Sequence, residues 1–189
     1  MLIKCYGAAP QGIDAVLVTI EVHAVPGFEF TLVELPDNAV KESHERINAA
    51  LTVNGYKKPH HTLTINMAPA DIKKEGASYD LPLAIGILAA EEEVKTALLN
   101  KYLIMGELSL DGTLQPIQGV LPMALAARKA GFKGIILPEQ NAREAAVVKD
   151  IEVYGLKDLL EVIRFLNGIQ AFSPTYVDTA AEFAQHAFP

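Results

Sequence analysis

The sequence predicts an α/β sandwich on one mixed sheet. Three patterns carry that expectation: period-two alternation in the first third, an Asp-Gly hairpin signal in the middle, and a strand–helix–strand succession in the last third. At 189 residues, 50% of them hydrophobic, the chain is long enough for one sizeable core and short for two ordinary domains. One domain plus a tail is the starting expectation.

An opening strand is expected over residues 2–6, with the stretch from Gly7 to Gly12 separating it from a second. Val16, Val18, Ile20 and Val22 alternate with Leu17, Thr19, Glu21 and His23, as in a strand with one buried face. Phe28, Phe30 and Leu32 repeat the pattern after the turn signal Pro26-Gly27, so the first third reads as an antiparallel meander. At Leu35-Pro36-Asp37 the pattern changes, because Asp37 can accept hydrogen bonds from the free N–H groups of a helix over 38–53. Val40, Ile47 and Leu51 form its apolar stripe, and Asn54-Gly55 supplies left-handed geometry for its end. Leu63, Ile65 and Met67 then alternate with Thr62, Thr64 and Asn66 in a strand that runs into the loop 68–76.

A helix over 81–92 follows, with Asp80 as its cap and Pro82 in the first turn, where a missing N–H costs little. Strands over 103–110 and 113–117 flank Asp111-Gly112, a strong two-residue hairpin signal. Helices over 120–129, 139–148 and 156–166 alternate with strands over 134–137 and 151–154, which implies a parallel pair with a right-handed crossover. Leu159, Val162, Ile163 and Leu166 mark the buried face of the last helix, closed by Asn167-Gly168. The segment 169–189 shows no sustained period and reads as a linker, which places the domain at 1–168.

Composition narrows the chemistry. With 16 Lys and Arg against 23 Asp and Glu, the net charge of −7 gives no general attraction to a phosphate backbone. The lone Cys5 cannot form an internal bridge and reads as a small core residue. No apolar run approaches the roughly 20 residues of a membrane helix, and the first residues lack a signal-peptide layout, so a cytoplasmic location is expected. No glycine is followed by Lys-Ser or Lys-Thr, and Gly131-Phe132-Lys133-Gly134 stands between a helix and the next strand, the wrong order for a phosphate cradle. No nucleotide cofactor is therefore expected on this chain. His60 and His61 are adjacent at a strand entrance and point to opposite faces, which disfavours a shared metal ion.

Two constellations remain. Ser78, after Gly76-Ala77 and ahead of a helix, is the candidate nucleophile, against a plain turn residue; it still needs a base. Lys57, Lys58, His60 and His61, with Lys73 and Lys74 in a second loop, form a positive patch for nucleic acid if the two loops share an edge.

Four strings together resemble one family: the stretch from Glu34 to Ser43, the loop Met67-Ala68-Pro69-Ala70-Asp71 with Lys74-Glu75-Gly76 and Asp80-Leu81-Pro82, the stretch from Gly106 to Gly112, and Gly119-Val120-Leu121-Pro122. Over residues 1–168 the chain resembles the N-terminal domain of the magnesium-chelatase ChlI-like family of AAA+ ATPases, to which ComM and YifB belong. The resemblance implies the ribosomal-protein-S5-domain-2-like fold of the Lon protease domain. It also implies a following ATPase module that binds ATP and Mg, a hexamer when full length, and action on branched DNA. Against the Lon pattern, Gly76-Ala77-Ser78 occupies the place of the nucleophile, and Leu121 falls where the catalytic lysine would stand.

The leading reading is an accessory domain without catalytic residues or cofactors of its own, positioning DNA or partner subunits around an ATPase ring. Its competitor is a Lon-type serine peptidase with a relocated base, Lys73 or Lys74. A self-contained metal-handling protein follows only from the family name. The first two separate on whether a lysine amine reaches Ser78.

Overall fold

The computed structural model describes residues 1–33, 37–57, 60–74 and 76–186, with only the backbone described at 30–33, 37–40, 182–183 and 185–186. The first two strands, β1 (Leu2–Gln11) and β2 (Asp14–Pro26), form a long hairpin paired from Leu2↔His23 to Gln11↔Asp14. Val18, Ile20, Val22 and Ala24 are buried, as the alternation predicts. The stretch 7–12 is not a separator, however: β1 runs through it, and the turn comes only at Gly12. Gly7 sits inside the strand because any Cβ there would come within 2.7 Å of Met105 Sδ.

The third strand, β3 (Phe30–Val33), leads through helix α1 (Asp37–Val53) to β4 (His61–Ala68). Here the expected meander fails. β4 inserts between β2 and β3, antiparallel to β2 over Thr19–Pro26 and parallel to β3. The physical reason is the crossover: β3, α1 and β4 form a βαβ unit whose strands lie side by side, so β2 finds its long partner later in the sequence.

Three parallel strands extend the other side: β5 (Tyr102–Ile104), β8 (Gly134–Pro138) and β9 (Glu152–Leu156). The seven strands run in the order β3-β4-β2-β1-β5-β8-β9. A separate short hairpin, β6 (Glu107–Leu108) and β7 (Leu114–Gln115), closes over the Asp111-Gly112 turn and is much shorter than the expected 103–110 and 113–117. Of that expected first strand, only 103–104 joins the main sheet.

Helix α2 (Asp80–Ala90) is the central element. All eleven residues are buried, so it is apolar on every side save at Asp80. It lies on the sheet face carrying Cys5 and Val22, where Gly86 lets the backbones approach and the Cys5 thiol donates to the Pro82 carbonyl at 3.3 Å. Helix α3 (Val120–Lys129) lies by the alternate face of the hairpin, at Ala15 and Leu17. The expected helix over 139–148 is a 3-10 turn followed by the short α4 (Ala142–Ala145), and α5 (Leu159–Leu166) begins after Asp158, whose carboxylate accepts from Glu161 N at 2.8 Å. The segment after Gly168 packs on α5 through Phe172, bonds β9 through Thr175, buries Val177 and then forms α6 (Thr179–His186).

Asp80 is not the cap of α2. Tyr79 occupies that position, and the Asp80 side chain turns inward at 1% exposure. It accepts from Arg46 Nε at 2.7 Å and from the terminal guanidinium nitrogen at 3.1 Å, from Ser43 Oγ at 3.1 Å and from Leu108 N at 3.3 Å. Burial pushes the carboxyl pKa up, while Arg46, the Leu108 amide and Ser43 pull it back down.

Two predictions follow from this packing. Arg46→Ala leaves a buried carboxylate without its charge partner, and since Arg46 keeps a quarter of its side chain in solvent the loss should be about 3 kcal/mol at neutral pH. A raised folded-state carboxyl pKa favours the folded form below the unfolded value and costs stability as pH rises through the folded one. The deficit of Arg46→Ala should therefore shrink on acidification toward about pH 4, measured by urea titration, whereas a deficit independent of pH would count against a charged Asp80. The second concerns Glu92, which holds φ 62 just past α2, where Glu93 N and Val94 N both donate to the Leu88 carbonyl. That left-handed position suits glycine, so Glu92→Gly should stabilise by ~1 kcal/mol and raise Tm by about 2–4 °C; a fall in Tm would contradict it.

Candidate functional site

The loop from Ala68 to Asp80 joins the end of β4 to α2 and contains the candidate nucleophile. It opens with a cis Ala68-Pro69 peptide. The Lys74 side chain folds back into the loop, buried to 6% exposure, and its amine donates to the Pro69 carbonyl and to the Ile72 carbonyl at 3.2 Å. Lys74 is thus not the solvated loop cation that the sequence suggests.

Gly76 follows at φ 77 and ψ −176, a conformation that a residue with a Cβ enters only with strain, and turns the chain into the 3-10 segment Ala77–Tyr79. Ser78 is half-buried within it. Backbone bonds fix its position: Gly106 N donates to the Ser78 carbonyl at 2.9 Å, and Leu81 N donates to the Gly106 carbonyl at 3.0 Å. Tyr79 is buried next to it, its hydroxyl 3.5 Å from the Ala8 carbonyl and its pKa pushed up to about 12 by desolvation. Asp80 then anchors the loop to α1 and the β6–β7 hairpin.

The geometry that bears on a dyad is the placement of the lysine amines around Ser78. Among the described residues no lysine amine hydrogen-bonds Ser78 Oγ, and the Lys74 amine is committed to two carbonyls. Leu121 lies in the first turn of α3, half-buried and packed against the core. Lys73 is exposed and has a partner of its own.

The basic residues do not gather. Lys57 and His60 precede β4, and Lys73 follows it, so the two loops stand at opposite ends of an eight-residue strand, roughly 25 Å apart. Lys58 lies outside the described residues. Among the described residues of the expected patch, Lys57 and Lys73 are exposed at the two ends of β4 and Lys74 is buried.

The histidines are engaged elsewhere. His61 Nδ1 lies 2.7 Å from Glu91 Oε1, and the His60 amide donates to the same oxygen at 3.1 Å. Among the described residues no three His, Cys, Asp or Glu side chains converge as a metal site. Burial pushes the Cys5 thiol up to about 12, which keeps it protonated and inert. Lys133, in the glycine-flanked stretch, follows α3 and lies 4.0 Å from Glu152 Oε2, at a strand entrance.

Sequence reasoning missed the buried state of Lys74 and the Asp80–Arg46–Ser43 network. The second had a readable trace, since Asp80 opens a run of ten residues without a charge, Leu81 to Ala90.

A family model described as subunit ChlI of Mg-chelatase matches residues 20–141, well over half of the chain. The competence protein ComM of Haemophilus influenzae is 45% identical over 164 residues, covering 86% of this chain and 32% of that protein. YifB of Escherichia coli is 38% identical, covering 94% of this chain and 35% of its own length. Lon protease 2 of Bacillus subtilis is 32% identical over 126 residues, covering 65% of this chain and 22% of the protease. The chain spans about a third of the length of ComM and YifB. A match of this extent, on an α/β domain, means that the chain belongs to the ChlI family of Mg-chelatase-like proteins.

Proposed function

We propose that this chain is a non-catalytic, Lon-protease-like accessory domain of a ComM-type AAA+ ATPase, and that it positions DNA or neighbouring subunits around the ATPase ring. The observation that carries the reading is the Lys74 amine, held by the Pro69 and Ile72 carbonyls instead of reaching Ser78. A serine hydroxyl is almost wholly protonated near neutral pH, and attack on an amide needs a base beside it. Leu121, at the position the Lon resemblance assigns to that base, has no proton acceptor. The loop keeps its shape for backbone reasons, through Gly76 and the Ser78–Gly106 and Asp80–Arg46 contacts, so its form is independent of catalysis.

On this reading ATP and Mg bind a separate ATPase module, and the partners of the domain are that module, adjacent subunits of a hexamer and DNA. Among the described residues no helix is long and apolar enough to cross a membrane.

The peptidase alternative and the accessory role part on one experiment. The purified chain, incubated with unfolded casein and a fluorophosphonate probe, should give neither turnover nor labelling. Labelling lost in Ser78→Ala, together with casein cleavage, would give the lead to the peptidase. DNA contact should be weak, since Lys57 and Lys73 stand at opposite ends of β4 on a chain of charge −7. With one or two phosphates neutralised, the slope of log K against log salt should lie at about −1 to −2 in fluorescence anisotropy, and a slope steeper than about −5 would reveal a surface other than these lysines.

A further inference from the structure

Between α5 and α6 the chain has no regular structure, yet three of its residues are fastened to the domain. Phe172 packs on Phe165 with ring centroids 6.1 Å apart. Thr175 N donates to the Val153 carbonyl at 2.7 Å, on β9, the edge strand of the sheet. Val177 is buried at 3% exposure. The neighbours Ala171, Ser173, Pro174, Tyr176 and Asp178 are exposed.

One side chain closes this arrangement from outside. Lys149, in the turn between α4 and β9, donates its amine to the Val177 carbonyl at 3.2 Å and places it 5.5 Å from the centre of the Tyr176 ring. The adjacent Asp150 holds φ 63, a left-handed conformation that few residues other than glycine, Asn and Asp adopt readily, so the turn that presents Lys149 is itself specified.

We propose that residues 169–178 form a strap, latched to the β9 edge by Thr175, seated by the buried Val177 and clasped by Lys149, that opens as a unit while the sheet stays folded. Among the described residues the strap has few fastenings: the Ile169 and Gln170 amides on the Arg164 carbonyl at its α5 end, one backbone bond to the sheet, one buried aliphatic side chain, one aromatic contact and one lysine. Segments with so few anchors open at lower free energy than the strands they cover. Opening frees the Val153 carbonyl on the sheet edge and the Phe165 face that Phe172 covers. It also releases α6, so the latch decides whether the chain beyond Asp178 is held against the domain or tethered loosely to it. This device stands whether or not the domain is an accessory to an ATPase.

Amide hydrogen exchange on the 189-residue chain tests it, resolved by residue in NMR. The Thr175 amide should be protected, yet exchange faster than the β8 and β9 amides. Lys149→Gln should speed exchange at Thr175 about tenfold and leave β8 and β9 unchanged, as expected for loss of one charge-assisted bond. Lys149→Arg should stay within about threefold of the parent, because it keeps the charge and the ring contact. Val177→Ala, independent of the clasp, should also speed the strap selectively. The proposal is overturned if Thr175 and β9 exchange at one common rate, if Thr175 is unprotected in the parent chain, or if Lys149→Gln leaves Thr175 unchanged.

Discussion

The contact on which the rest of this fold depends is the buried pair of Asp80 and Arg46. Asp80 opens a helix that is otherwise apolar on every side, and its carboxylate collects donors from α1, through Ser43 and Arg46, and from the β6–β7 hairpin, through Leu108 N. Three elements far apart in sequence thus meet on one group. An apolar side chain at Asp80 could fill the same space, and such replacements of buried pairs are often neutral for stability. It could not fix the rotation of α2 or the distance to the hairpin, since hydrophobic contact is not directional. The serine loop is continuous with α2, so the placement of Ser78 inherits that fixed geometry.

On the accessory reading, that inheritance lets a protease-like loop persist without protease chemistry. The parts that shape the loop are backbone features: the left-handed Gly76, the exchange of bonds among Ser78, Gly106 and Leu81, and the inward amine of Lys74. Each contributes to folding whether or not a proton is ever transferred at Ser78. A base contributes only to reaction, so a leucine at position 121 costs the fold nothing, and its half-buried side chain adds to the core. Selection for the scaffold and selection for the dyad are separable, and the residues divide along that line.

Much of the fold was legible because its causes are local. Alternation in β2 and β4, the Asp111-Gly112 turn and the 120–129 helix depend on neighbours two to four residues apart, and the parallel β8–β9 pair on one short crossover. What escaped depends on distance. Nothing within β2 or β3 shows that β4 will come between them, because a period-two pattern states which face is buried and not which strand lies alongside. Asp80 reads as a cap because aspartate before an apolar run usually is one, while its partners lie 28 to 37 residues away. Lys74 reads as solvated because its two acceptors are backbone carbonyls, which no side-chain pattern records. Among the candidate site residues, Ser78 was legible from the glycine before it and Leu121 through resemblance, whereas the separation of Lys57 from Lys73 follows from the length of β4, which no local pattern states.

The division of charge bears on what such a domain can position. Electrostatic attraction to DNA grows with the number of phosphates neutralised together, and cations separated by more than two Debye lengths act as independent weak contacts at physiological salt. Lys57 and Lys73, held apart by β4, are in that regime on a surface whose net charge repels a polyanion. On the accessory reading, affinity for DNA must then come from cations on other parts of the assembly. On that reading the domain contributes as a steric body, an α/β unit built on a wholly buried helix. Stiffness within that body comes from the Asp80 network, which joins α1, α2 and the β6–β7 hairpin, whereas the Lys149 clasp, as the proposed releasable fastening, governs how firmly the segment beyond Asp178 is held.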